Sequence, residues 1–69
     1  MGLVITINAY YDWELTFFVQ SYDETEAKEK AYKMFRQSAG CYVPDTLEKA
    51  EQDECISISI VAKVDNVLL

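Results

Sequence analysis

The chain has 69 residues, 51% of them hydrophobic and 26% charged, with two glycines and one proline. This composition excludes a disordered chain, leaves no room for a second domain or long linker, and reads as one small domain over residues 1–69. Twelve acidic residues against six basic ones give a net charge of −6, which disfavours direct binding to nucleic acid or anionic membranes and favours a protein partner with a basic surface.

Leu3, Ile5 and Ile7 alternate with Val4, Thr6 and Asn8, and this period of two predicts a strand over about residues 3–10. The opening Met1-Gly2-Leu3-Val4-Ile5-Thr6 also fits a myristoylation pattern, but it continues straight into the strand and is read as part of it. Leu15, Phe17 and Val19 alternate with Glu14, Thr16, Phe18 and Gln20 in a second strand over about 14–20. Tyr11-Asp12-Trp13 joins the two. Without glycine an Asn-Gly type I′ turn is excluded, so a loop of about three to five residues built around a type I turn is expected.

Asp23-Glu24-Thr25-Glu26 has the form of a capping box, with Tyr22 and Ala27 at the staple positions. Ala27, Ala31, Met34, Phe35 and Ser38 then share one helical face, and Gly40 stops the helix, predicting a span of about 24–39. Glu24–Lys28, Glu26–Lys30 and Glu29–Lys33 are i,i+4 pairs in the favourable order. Pro44 breaks the chain, and Asp45-Thr46-Leu47-Glu48 repeats the cap form before a short helix over about 46–52. Ile56, Ile58, Ile60, Ala62 and Val64 alternate with Cys55, Ser57, Ser59, Val61 and Lys63 in a last strand. Asp65-Asn66 then signals a turn, with a short edge piece at Val67-Leu68-Leu69.

The order β-β-α-(short α)-β predicts an α+β two-layer sandwich. Its three-stranded antiparallel sheet has the order 2-1-3, with the first strand in the centre, and packs on one main helix. Ile5, Ile7, Leu15, Phe17, Ile58 and Ile60 would face Ala31, Met34 and Phe35. The opposite face would show an apolar strip of Val4, Tyr10, Phe18 and Val61, a candidate surface for a homodimer.

No residue pattern points to catalysis. The chain has no histidine, so Ser-His-Asp and Cys-His arrangements cannot form within it. Two glycines cannot build a phosphate-cradling loop, and the acids at 45–54 lack the spacing of a calcium loop. Cys41 and Cys55 lack the CxxC spacing of a zinc or redox site, and they read as a loop residue and the start of a strand. No catalytic, cofactor-binding or metal-binding residue is expected. The lack of a basic-then-apolar leader or a membrane-length apolar run points to the cytosol, with both thiols reduced.

Binding by surface remains, and two features carry it. The first is the acidic run Asp45, Glu48, Glu51, Asp53 and Glu54 against a single Lys49, which reads either as a mimic of phosphate charge or as a solubilising face. The second is the hairpin tip with Tyr10, Tyr11 and Trp13, since Trp and Tyr dominate interface hot spots. For Trp13, the one tryptophan of the chain, a ring folded over the end of the core is the slightly favoured reading.

The segment FFVQSYDETEAKEKAYKMF, Phe17–Phe35, resembles a strand-to-helix element of small phage and mobile-element proteins. With the chain's size, acidity and element order, it resembles phage anti-CRISPR proteins in type. That resemblance implies a non-enzymatic inhibitor that occupies a basic, nucleic-acid-binding surface of a CRISPR effector complex. GCYVPDTLEKA, Gly40–Ala50, is similar to a run in HicB-type antitoxins, which implies a homodimeric antitoxin-like module as the alternative.

Overall fold

The alternation of the first strand is realised over Gly2–Ala9 (β1) in the computed structural model, which describes residues 1–64. Then follow Trp13–Gln20 (β2), Glu24–Ala39 (α1), one 3-10 turn at Gly40–Tyr42, Leu47–Gln52 (α2) and Ile56–Val64 (β3). The sheet order is β2-β1-β3, and β1 pairs antiparallel with both neighbours. This is the expected α+β arrangement, with the boundaries of α1 where the cap and Gly40 placed them. The turn expected at Asp65-Asn66 and the edge piece after it lie outside the described residues.

The core runs along the central strand. Leu3, Ile5, Ile7 and Ala9 are fully buried, and above them sit Ala27, Ala31, Tyr32, Phe35 and Ala39 of α1. Three alanines in that row let the helix approach the sheet closely. Leu15, Phe17, Ile58 and Ile60 on the outer strands are only partly buried, because one helix covers the middle of the sheet better than its edges. The expected helix face needs a correction. Met34 is exposed, and Tyr32 takes the buried place, its hydroxyl donating to the Pro44 carbonyl at 2.5 Å. The buried stripe is centred on the row Ala27–Ala31–Phe35, with Tyr32 at one flank, and Met34 and Ser38 fall at the other margin.

A β-bulge corrects the last strand. Ile5 pairs with Ile60 but Val4 pairs with Ala62, so Val61 is an extra residue opposite that step. Beyond it the faces exchange. Lys63 pairs with Leu3 on the helix side and donates to the Glu24 carboxylate of α1, while Ala62 and Val64 turn to the open face.

The caps differ in detail from the sequence reading. Asp23 accepts from the Glu26 amide at 2.7 Å, but Glu26 reaches the Ser21 hydroxyl, which donates at 2.8 Å, and that hydroxyl in turn accepts from the Asp23 amide at 3.4 Å. Tyr22 is 95% exposed, so no staple forms over this cap. The cap of α2 is Thr46, whose hydroxyl accepts from the Lys49 amide at 3.2 Å. Asp45, one residue earlier, pairs with the Lys49 ammonium at 3.3 Å.

Candidate functional site

Ala9 faces Trp13 across the β1–β2 hairpin, leaving the three-residue loop Tyr10-Tyr11-Asp12. The length matches expectation and the turn type does not. Tyr10 and Tyr11 both have left-handed backbone, at φ 59° and 70°. Glycine or asparagine normally fills such positions, because a side chain there costs about 1–2 kcal/mol. Glycine-free sequence therefore misleads here: the left-handed turn forms without the residues that usually signal it.

Other contacts hold Tyr10 in place. Its amide donates to the Cys55 carbonyl at 2.8 Å, and its hydroxyl donates to the Tyr42 carbonyl at 2.9 Å. Tyr10 thus ties the hairpin tip to the 3-10 turn after α1 and to the turn before β3. This second turn is itself fixed: the Asp53 amide donates to Ala50 at 3.1 Å, and its carboxylate accepts from the Cys55 amide at 2.9 Å. Cys55 precedes β3 rather than opening it, and both cysteines are free and exposed.

Tyr11 makes no such hydrogen bond among the described residues. It is 83% exposed. The hairpin carries Asp12 and Glu14, and the Tyr10–Cys55 hydrogen bond brings it against the segment of Asp53 and Glu54; no lysine or arginine belongs to these segments. The four ion pairs among the described residues join Lys28 to Glu51, Lys30 to Glu26, Lys49 to Asp45 and Lys63 to Glu24, and none includes Asp12, Glu14, Asp53 or Glu54. The result is a pole that is acidic and aromatic at once.

The residues singled out in the sequence separate accordingly. Trp13 points to the helix side, its ring 5.6 Å from that of Phe35, so it serves the end of the core. Asp45 and Glu51 already hold cationic partners, and the Lys49 hydrogen bond keeps the Asp45 carboxyl below its ordinary range. Asp53 fixes its own turn. Glu48 and Glu54 are exposed and make no ion pair among the described residues. Tyr10 leaves the strip drawn with Val4, Phe18 and Val61, because its left-handed backbone breaks the strand alternation and its hydroxyl reaches the helix layer. Asp12, Glu14 and Tyr42 were not singled out. Asp12 and Glu14 belong to the hairpin itself, while Tyr42 joins it through the long-range Tyr10 hydroxyl contact, which no local pattern announces.

Among the described residues no group of three or more Cys, Asp or Glu could hold a metal ion, and no helix is long and apolar enough to cross a membrane. A groove between α1 and the start of α2 is lined by Glu29, Lys33, Arg36, Asp45 and Glu48 among others, a mixture of signs that offers a ligand no single charge to recognise. No family model, curated protein or solved structure matches the chain.

Proposed function

We propose that this protein is a non-enzymatic cytosolic inhibitor that docks its acidic, aromatic pole on a basic surface of a partner protein, one built to hold nucleic-acid phosphates. The observation that carries the reading is Tyr11. Its backbone conformation is unfavourable by about 1–2 kcal/mol, and its exposed ring recovers little of that through burial. A residue that opposes folding and contributes nothing to the core is suited to contact outside the chain. The hairpin that carries it also holds Asp12 and Glu14 and meets the segment of Asp53 and Glu54 through the Tyr10–Cys55 hydrogen bond, so the fitting partner is cationic with an apolar or guanidinium-rich pocket. The resemblance in type to anti-CRISPR proteins supports a CRISPR effector complex as the partner class.

The test is competition. Purified RNA-guided effector complexes loaded with labelled target DNA are titrated with the wild-type chain and with Tyr11→Ala and Glu54→Lys. We expect the wild type to displace the DNA at low salt, with each variant weakened roughly tenfold, the size of a single hot-spot contact. High salt should suppress the effect through screening. Equal potency of wild type and variants, or no displacement from any complex, overturns the proposal.

A further inference from the structure

We infer that the open face of the sheet binds a second copy of this chain in a weak face-to-face dimer. The register places Phe18, Val4 and Ala62 in one row across this face, and the bulge pushes Val61 out beside them. Phe18 is 55% and Val61 59% exposed. The next row toward the hairpin is Thr16, Thr6 and Ser59, with the Thr6 and Thr16 hydroxyls hydrogen-bonded to each other at 3.1 Å. Among the described residues Glu14 is the one charged side chain on the face, at its hairpin end.

That scarcity of charge selects the occupant. Charged residues make up 26% of the chain, yet almost none stand here, as at the centre of a protein interface. The basic partner proposed for the acidic pole would find nothing to pair with on this face. A second copy presents the same neutral, partly apolar surface and can stack while both sets of carboxylates stay in water. A two-fold axis near the Phe18–Val4–Ala62 row superposes apolar on apolar and sends the two Tyr11 tips in opposite directions. An axis on that row overlaps the two sheets only over about residues 2–6 of β1, roughly 16 Å along three strands about 14 Å wide, a footprint well below the ~800 Å² per partner of a standard interface. An interface this small belongs to weak, concentration-dependent association.

Sedimentation from about 1 µM to about 500 µM, a range that brackets weak interfaces, tests this without any partner. The wild-type mass should rise toward twice the chain mass. Phe18→Glu and Val61→Glu should stay at the chain mass, a loss of at least tenfold in affinity. Tyr11→Ala should behave as wild type, which keeps the outcome independent of the acidic pole. Circular dichroism confirms that each variant is folded, and Val61→Glu, at a bulge residue outside the paired register, carries the test should Phe18→Glu unfold. A wild type that stays monomeric throughout, or folded Glu variants that dimerise as it does, overturns the inference.

Discussion

At the end of the sheet where β2 hands over to α1, three carboxylates have donors. Asp23 caps the helix, Glu24 takes Lys63, and Glu26 holds both Ser21 and Lys30. Ser21 is buried there, its amide donating to the Met1 carbonyl at 3.0 Å. The hairpin end is built on the opposite plan. Its backbone is pinned by Tyr10 and Asp53, while Asp12, Glu14 and Glu54 are exposed and make no ion pair among the described residues. One end uses its charges to hold the fold. The other is held by its backbone and leaves its charges to act outward. Net charge alone could not have separated these two uses.

Two neighbouring aromatics give the largest expected contrast. Trp13→Ala removes a half-buried ring from Phe35 and should lower stability by about 2 kcal/mol, roughly 10 °C in melting temperature for a domain this small. Tyr11→Ala, two residues away, should leave the melting temperature within about 2 °C of wild type. Thermal unfolding of both variants decides the matter. Equal losses would mean that Tyr11 is part of the fold, and the contrast between a structural and a presented aromatic would be gone.

Much of this was legible in the sequence because it is local. Period two wrote the three strands, and the Asp23–Glu26 pattern and Gly40 bounded α1. What escaped was non-local. The exchange of faces in β3 depends on Val61 bulging opposite Val4 and Ile5, which no alternation within β3 reveals. Tyr32 looks like any tyrosine on an amphipathic helix until Pro44 comes round to accept its hydroxyl. At the site, Tyr11 and the acids near Glu54 were both visible, but not that Tyr10 would bring them together through Cys55 and Tyr42. Trp13 was assigned to two places by the sequence, and the packing on Phe35 puts it in the core's edge.

A smaller effect of opposite sign sharpens the comparison. Asparagine tolerates left-handed backbone, so Tyr11→Asn should raise stability by about 0.5–1 kcal/mol, a few degrees in melting temperature. Under the proposed function the same change should weaken partner binding. Gain in one measurement with loss in the other is the signature of a residue kept for contact. A variant that melts lower than wild type would show that the left-handed turn draws support from the Tyr11 ring.

The smallest expected effect lies in acid, at the other end. The Lys63 hydrogen bond and charge hold the Glu24 carboxyl below its ordinary value of 4.5, and the Ser21 hydroxyl, followed by Lys30, does the same for Glu26. Both carboxylates are more acidic folded than unfolded, so the unfolded chain binds more protons in the window just below 4.5. Their contribution is complete above that window and is lost as pH falls through the lowered folded values. Both groups are solvent-exposed, which keeps the contribution modest. Chemical denaturation between about pH 3 and pH 6 should show stability rising with pH. Glu26→Gln should flatten that rise, because the amide retains the shape and loses the titrating charge. An unchanged slope in Glu26→Gln would mean that the Ser21–Glu26–Lys30 arrangement orders this end of the molecule without stabilising it, and the division of labour between the two ends would rest on geometry alone.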